Sequence, residues 1–247
     1  MKTLGILGGM GPKATSVLYD RIVDHTDAHT DQEHINTIIL SDGSIPDRTV
    51  AIVSGDTAGC RRALVNGAKK LEAMGAEVII MPCNTAHYFI EDIQEALKPE
   101  TRVLNMNRLA VNDALAVCST GEGSADSSED SAYSYPRIGI MATDGTLATG
   151  LYDNIVTEAG AVPVAPSEGP QEELMSLIYA DIKAGLPGDQ SKFESCVNDL
   201  SGRTDAVILA CTELSVYKEE NPLPPNYIDA MDSLVRAAII ECGAVYK

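Results

Sequence analysis

Basic residues are scarce in this chain of 247 residues, which has 18 Lys and Arg against 36 Asp and Glu and a formal net charge of −18 at pH 7. A protein with this charge repels polyanions, so nucleic acid and anionic membrane surfaces are excluded as its main partners. The composition favours a small-molecule partner. If that molecule is an anion, a few local cations must hold it against the overall field of the protein.

Long apolar runs and grouped metal ligands are also missing. No stretch approaches the roughly 20 apolar residues that span a bilayer, and the N-terminal apolar run is too short for a signal peptide, so we expect a cytoplasmic protein. The six cysteines are scattered without metal-ligand spacing, and a reducing cytoplasm disfavours disulfides. We therefore predict no metal site, and most of the cysteines are expected to be small buried residues.

The chain does contain short β-branched runs that alternate with helical apolar spacing. Residues 3–7 form an apolar run that ends in the glycine-rich segment 8–12, and residues 14–26 follow with the pattern of a helix. Further strands are predicted at 35–40 and 77–81. This alternation is typical of a parallel sheet covered by helices.

The same order recurs in the second half of the sequence. Residues 137–146 resemble the opening strand and loop, and residues 205–212 repeat the pattern of 77–85, with a cysteine at the end of an apolar strand and a threonine close behind. The repeat predicts an α/β fold of two similar lobes, each a mostly parallel sheet flanked by helices, related by pseudo-twofold symmetry.

The lobe boundaries follow from this repeat. We assign residues 1–107 plus 218–247 to an N-terminal α/β lobe and residues 108–217 to a C-terminal α/β lobe. Residues 119–135 are rich in Ser, Gly, Asp and Glu and contain almost no aliphatic residue, so they are predicted to form a flexible insertion.

Cys83 and Cys211 lie at the carboxyl ends of predicted strands, where α/β sheets bind their ligands. Under pseudo-twofold symmetry the two thiols would approach one cleft from opposite sides. Such a pair suits inversion of a stereocentre beside a carboxylate, because one sulfur can remove the α-proton while the other delivers a proton to the opposite face. Amide dipoles at a helix N-terminus can lower a thiol pKa from about 8.5 and supply thiolate near neutral pH.

The residues that follow each cysteine predict an anion site. Asn84, Thr85 and Thr212 lie where helices are predicted to begin, so their backbone N–H groups could hold a carboxylate and stabilise developing negative charge. His87 follows Cys83 by one helical turn. We interpret it as a histidine on the helix surface or one that anchors the loop, rather than as a base or metal ligand.

Together these motifs resemble the aspartate/glutamate racemases that work without pyridoxal phosphate, and the resemblance is closest to the aspartate racemases. The matching segments occur in family order across nearly the whole chain, at residues 5–12, 45–49, 81–87, 182–185 and 211–213. Each segment alone is modestly specific, but the set is highly specific.

The resemblance implies that Cys83 and Cys211 are the proton-transfer pair, that no cofactor is needed, and that the chain forms a homodimer. It implies a small acidic amino acid as the partner, aspartate or also glutamate, with Arg48 and Lys183 as the cations that bind its carboxylates. The predicted substrate-binding residues are Met10, Arg48, Asn84, Thr85, Lys183 and Thr212. Asp144 departs from the family pattern, which has a neutral residue in that loop.

Several alternatives stay open. A glutamate racemase or a broader amino-acid racemase would share the same architecture, since one methylene changes discrimination by only about 1–3 kcal/mol. A maleate-type isomerase is a more distant enzyme of the same design, and an inactive pair of lobes could serve as a sensor of acidic amino acids. Residues 9–14 also fit the G-x-G-x-x-G/A dinucleotide pattern, with Asp42 as a ribose partner, which would suit an NAD(P)-dependent oxidoreductase.

Overall fold

The computed structural model describes residues 1–120, 135–221, 223 and 225–247. Most of the insertion predicted over 119–135 therefore lies outside the described residues. The described chain divides into two compact units, the first made of Met1–Met106 and Met231–Lys247 and the second of Asn107–Ala230. Among these residues no helix is long and apolar enough to cross a membrane.

Unit 1 is built on a four-stranded parallel sheet with the order β2-β1-β3-β4. Its central strands β1 and β3 are buried along their whole length, whereas β2 is partly exposed. Continuous apolar runs suit the central positions because helices cover both faces of a parallel sheet. The strands are β1 (Leu4–Gly8), β2 (Thr37–Ser41), β3 (Val78–Ile80) and β4 (Arg102–Val103).

The longer helices of unit 1 bury one apolar stripe each. In the longest of them Cys60, Leu64, Ala68 and Leu71 recur every three to four residues, are fully buried, and join Ile79 in one core. Each leucine or isoleucine in this core contributes about 1.5–3 kcal/mol of burial free energy. The helices are α1 (Pro12–His25), α2 (Arg48–Ser54), α3 (Ala58–Ala73) and α4 (Ile90–Glu95), and 3₁₀ turns cover Asp31–Glu33 and Thr85–Phe89.

Unit 2 repeats this topology, with a four-stranded parallel sheet in the order β6-β5-β7-β8. Its strands are β5 (Arg137–Ala142), β6 (Val162–Val164), β7 (Ala206–Ala210) and β8 (Tyr227–Asp229). Its helices are α5 (Met106–Thr120), α6 (Asp144–Ala148), α7 (Leu151–Glu158), α8 (Glu168–Ser176), α9 (Gln190–Leu200) and α10 (Thr212–Lys218), and a π-helical segment covers Leu177–Ile182. The predicted α/β fold of two similar sheets flanked by helices is confirmed.

The chain returns to unit 1 later than the sequence predicts. Residues 218–230 were assigned to the N-terminal lobe, but β8 pairs with β7 and completes the second sheet, so unit 2 extends to Ala230. A strand of three residues is too short to show a clear period in the sequence. The helix that then closes unit 1 is α11 (Ala230–Glu241), and Glu241 forms ion pairs there with Lys2 and Arg102.

The loop between β1 and α1 is tightly packed against the rest of unit 1. Gly9 has φ +90°, and a Cβ added to it would overlap the backbone of Asp42. Thr15 accepts a hydrogen bond from the Gly9 N–H at 2.9 Å and donates one to the Gly11 carbonyl at 3.1 Å. These contacts fix the course of the backbone around Met10.

The close approach of the Asp42 backbone to Gly9 predicts that Gly9→Ala destabilises the protein more than a matched glycine substitution. Gly55 also has a positive φ, +79°, but a Cβ there would meet nothing within 4 Å. We expect Gly55→Ala to lower the free energy of unfolding by about 1–2 kcal/mol through the left-handed backbone alone. Gly9→Ala should cost about 1–3 kcal/mol more through overlap with Asp42. Urea denaturation measures both variants, and equal losses would contradict the close packing.

Candidate active site

The first cysteine loop leaves the buried strand β3 and turns directly into a 3₁₀ helix. Cys83 donates its N–H to the Met81 carbonyl at 2.8 Å, and its own carbonyl accepts the Ala86 N–H at 3.2 Å. Asn84 is the cap of the 3₁₀ turn, and Thr85 is the first residue in it. The helix opening predicted after Cys83 is therefore present, but its first turn is 3₁₀ rather than α.

His87 anchors this loop through hydrogen bonds of both ring nitrogens. Its Nδ1 lies 2.9 Å from the Cys83 carbonyl, and its Nε2 lies 3.1 Å from the Met106 N–H. Because the amide can only donate, Nε2 is the acceptor and Nδ1 carries the hydrogen. Burial lowers the pKa of His87, so the ring is neutral. The structure gives His87 the loop-anchoring role expected of it, although the side chain is buried and does not lie on a helix surface.

Arg48 places a fixed positive charge beside Cys83. It is the first residue of α2, whose N-terminus is capped by Asp47, and its side chain is buried. Nη1 donates to the Pro46 carbonyl at 3.1 Å and Nη2 to the Met10 carbonyl at 3.2 Å. Burial works against the charged form, but the electrostatic influence of Cys83, Asp47 and Cys60 together outweighs burial and raises the pKa of Arg48.

The second cysteine loop begins where β7 ends. Cys211 has extended backbone and forms the N-cap of α10, and its carbonyl accepts the Leu214 N–H at 3.0 Å. Thr212, the first helical residue, is buried. The Cys211 thiol donates a hydrogen bond to Oε2 of Glu213 at 3.0 Å. A carboxylate therefore faces this sulfur, whereas a guanidinium faces the sulfur of Cys83.

Glu213 connects Cys211 to Lys183. Its side chain is almost fully buried, and its Oε1 lies 3.2 Å from the Lys183 Nζ. The same ammonium group lies 5.1 Å from the centre of the Tyr179 ring. Lys183 follows the π-helical segment Leu177–Ile182 as its C-cap. The predicted carboxylate-binding lysine thus has an internal counter-ion in this structure.

The surroundings of Cys211 disfavour its ionisation. Burial raises the pKa of Cys211 well above its ordinary value of 9.0, and the charge and hydrogen bond of Glu213 raise it further, while Lys183 opposes both. Tyr152 is also buried nearby, and burial together with Asp229 and Cys211 raises the pKa of its hydroxyl well above 10.0. Both groups are therefore neutral near pH 7.

The structure brings the predicted site residues together within each unit. Met10, Arg48, Cys83, Asn84 and Thr85 belong to unit 1, where Arg48 links the glycine-rich loop to Cys83. In unit 2, Cys211, Thr212 and Lys183 meet around Glu213. The approach of the two thiols to one cleft stays a prediction. Asp144, the departure from the family pattern, is exposed and accepts a hydrogen bond from Gln171 at 2.8 Å.

Sequence reasoning gave no role to Glu213, which is hydrogen-bonded to Cys211, or to Tyr152, whose hydroxyl pKa is influenced by Cys211. Glu213 lies in a matched motif, but its significance depends on burial beside a thiol, and a sequence does not report burial. Asn107 was also missed: it is fully buried, and both polar atoms of its amide have no hydrogen-bond partner among the described residues. An unsatisfied amide at the start of α5 is a candidate contact for a polar ligand.

The residues that suggested the dinucleotide alternative also make contacts within the chain. Gly9 is needed because the backbone of Asp42 passes over it, and the Asp42 carboxylate accepts hydrogen bonds from the Ser44 N–H at 2.9 Å and the Ser44 hydroxyl at 2.6 Å. Gly9 and Asp42 thus serve contacts within the chain. Among the described residues, no group of three His, Cys, Asp or Glu side chains is placed to hold a metal ion.

The chain is similar to known proteins in both sequence and structure. The profile of the Asp/Glu/Hydantoin racemase family matches residues 7–238. The broad specificity amino-acid racemase RacX of Bacillus subtilis is 24% identical over 242 residues, 96% of each chain. Among solved structures, the aspartate racemase of Picrophilus torridus has a TM-score of 0.76 and 28% identity, covering 100% of this chain and 96% of its own.

A second solved structure shares the fold at lower identity. Glutamate racemase from Francisella tularensis, in complex with D-glutamate, has a TM-score of 0.64 and is 17% identical, covering 97% of this chain and 81% of its own. This likeness concerns the fold alone. Together the comparisons agree with the two-lobed α/β architecture described above.

The buried neutral His87 predicts a specific pH dependence of stability. In the unfolded chain this histidine takes up a proton near pH 6.5, whereas burial lowers the pKa of the folded form. The unfolded state therefore gains protons first as the pH falls, so the stability present above pH 6.5 is lost progressively below it. His87→Gln should lose this pH-dependent part, and it should also be less stable at pH 8 by about 1–3 kcal/mol because its hydrogen bonds are impaired.

Urea denaturation at several pH values between 5 and 8 measures both effects. The exposed His29 provides a matched control, and His29→Gln should follow the wild-type protein. If the free energy of unfolding of His87→Gln depended on pH as in the wild-type protein, His87 would not be the source of the pH dependence.

Proposed function

Because the chain belongs to the Asp/Glu/hydantoin racemase family, we propose that it is a cofactor-independent amino-acid racemase that interconverts L- and D-aspartate, with Cys83 and Cys211 as its two acid–base groups. The observation that carries the proposal is the equivalent position of the two cysteines. Cys211 directly follows β7, and Cys83 lies three residues after the end of β3. These two strands occupy the same position in four-stranded sheets of the same topology. Buried thiols at these two positions are suited to proton transfer on opposite faces of one carbon.

In the proposed cycle one cysteine is a thiolate and the other a thiol. The thiolate takes the proton from Cα, which forms an S–H bond and leaves the electron pair of the broken C–H bond on the amino acid. The second thiol gives its proton to the opposite face of Cα and becomes a thiolate. The product has the inverted configuration, and the two sulfurs have exchanged their protonation states.

The developing negative charge needs donors that are already oriented. Arg48 supports the proposal, because its Nε is buried and has no hydrogen-bond partner among the described residues while its other nitrogens contact backbone carbonyls. A buried unsatisfied donor costs about 1–3 kcal/mol, and a substrate carboxylate would remove that cost. Asn84, Thr85 and Thr212, at the starts of their helices, are the proposed sources of further donors.

The substrate assignment to aspartate is the finer part of the proposal. The similarity to Picrophilus torridus aspartate racemase supports it, and Lys183 supplies a cation for a second carboxylate. The similarity to a broad specificity racemase favours a wider substrate range as the second candidate. We further propose that the protein acts as a cytoplasmic homodimer, and light scattering tests its oligomeric state.

The substrate prediction is tested by proton NMR in D₂O with L-aspartate and, in parallel, L-glutamate and neutral L-amino acids, without pyridoxal phosphate. For aspartate we expect the α-proton signal to disappear as optical rotation decays. Exchange with glutamate alone would assign a glutamate racemase, and exchange with several neutral amino acids would assign a broad one. Absence of exchange in folded, reduced protein would contradict racemisation and favour a binding role.

The two-cysteine mechanism predicts that Cys83→Ala and Cys211→Ala each lower the rate of racemisation by about 10²–10⁴-fold or more, because each variant loses one of the two proton-transfer groups. Cys118→Ala on α5 is the matched control, since it removes a thiol that the mechanism does not use. Circular dichroism verifies that the variants are folded. Normal activity in either of the first two variants would refute the mechanism.

A further inference from the structure

The two thiols face side chains of opposite charge. Cys83 and Cys211 are equally exposed, at 6% each, so solvent access does not distinguish them. The guanidinium of Arg48 lies beside the sulfur of Cys83, whereas the carboxylate of Glu213 accepts the hydrogen of the Cys211 thiol at 3.0 Å. A positive neighbour favours a thiolate and a negative neighbour favours a thiol. Unit 1 and unit 2 are thus alike in topology, but the side chains beside their two cysteines are opposite in charge.

Three elements place ionisable groups against Cys211. Glu213 is on its own helix α10, Lys183 follows the π-helical segment, and Tyr152 projects from α7. Tyr152 is neutral and carries no positive charge, and Asp229 of β8 adds negative charge near it. Among these groups Lys183 is the cation that lowers the pKa of Cys211, and its Nζ is ion-paired with Glu213 at 3.2 Å. The balance of these groups disfavours a thiolate.

The charged side chain beside Cys83 is positive, in contrast to the carboxylate beside Cys211. Arg48 is held in place by the Met10 and Pro46 carbonyls, so its positive charge cannot move away from the loop. Cys60 is the other thiol near Arg48, but burial raises its pKa to about 11, so it stays protonated and does not compete for the guanidinium. His87 lies in the same loop and is neutral. Asp47 acts on both Arg48 and Cys60, and Arg48 supplies the positive charge beside the Cys83 sulfur.

We propose that Glu213 is a positioning residue that keeps Cys211 protonated in the resting protein, so that Cys83 is the thiolate that first removes the α-proton. This inference rests on the proposed racemase function and assigns unequal starting roles to its two cysteines. Glu213 acts through the Cys211 sulfur, to which it is hydrogen-bonded, rather than on the substrate.

The unequal roles have a consequence for turnover. After Cys83 takes the α-proton and Cys211 gives up its own, Cys83 is a thiol beside Arg48 and Cys211 is a thiolate beside Glu213. Both sulfurs are then in their disfavoured states. The resting form returns when Cys211 takes a proton from solvent and Cys83 releases one, or when a molecule of the opposite enantiomer reacts in the reverse direction.

The protonation states can be tested without any turnover. Iodoacetamide alkylates thiolates, and mass spectrometry of the digested protein gives a separate rate for each cysteine. In the wild-type protein at pH 7 we expect Cys83 to be labelled at least about tenfold faster than Cys211, because a carboxylate accepts the hydrogen of the Cys211 thiol and a guanidinium lies beside Cys83. Labelling of Cys211 should still increase above pH 9, because burial and Glu213 raise the pKa of its thiol well above 9.0. Faster labelling of Cys211 at pH 7 would overturn the proposal.

Variants of Glu213 assign this difference to its charge. Glu213→Gln keeps a hydrogen-bond acceptor of similar size but removes the carboxylate, so labelling of Cys211 at pH 7 should rise by about tenfold or more while that of Cys83 stays unchanged. Glu213→Asp should restore slow labelling of Cys211. The matched control is Glu220→Gln, an identical change of charge at an exposed position beyond α10, and it should leave both rates at wild-type values.

The outcomes separate this inference from the proposed function. Slow labelling of Cys211 that depends on Glu213, in a protein that racemises no amino acid, would keep the protonation states and remove the racemase assignment. Racemisation with a Cys211 labelling rate that Glu213→Gln does not change would keep the racemase and overturn the role of Glu213. If Glu213→Gln does not fold, the order and pH dependence of labelling in the wild-type protein still decide whether Cys211 is the protonated thiol.

Discussion

Parallel strands need helices over both faces, so each strand must end in a loop that turns back into a helix at the same edge of the sheet. This constraint places Cys83 just beyond β3 and Cys211 just beyond β7, since both strands occupy the same position in sheets of equal order. Each cysteine then meets the first turn of a helix. The chemistry that we propose depends on this placement, because burial and charge act on the sulfurs only where the loops hold them.

Although the two cysteine loops occupy equivalent positions, the side chains beside their sulfurs carry opposite charges. Arg48 reaches Cys83 from α2, an element separate in sequence, whereas Glu213 reaches Cys211 from the first turn of the helix that Cys211 caps. Burial would disfavour a thiolate at both sites if nothing else acted. The neighbouring side chains thus decide which thiol ionises more readily, and the repeat of the fold does not imply equal chemistry in its two halves.

Much of the fold was predictable because central strands and amphipathic helices have strong periods, as in Leu4–Gly8 and the stripe from Cys60 to Leu71. The return to unit 1 was placed too early, since Tyr227–Asp229 is too short to show a period. Cys83 and Cys211 were identified as candidates from their equivalent positions. The contact of Glu213 with Cys211 could not be predicted from the sequence, because side-chain direction and burial arise only from packing.

The hydrogen bonds that hold Arg48 also affect how a ligand would be bound. A free arginine loses up to about 2 kcal/mol of side-chain entropy when it is ordered. Here the Met10 and Pro46 carbonyls already fix the guanidinium, so that ordering takes place when the protein folds. A carboxylate arriving at Arg48 would meet a preorganised cation, and its affinity would reflect contact and desolvation rather than the immobilisation of a mobile side chain.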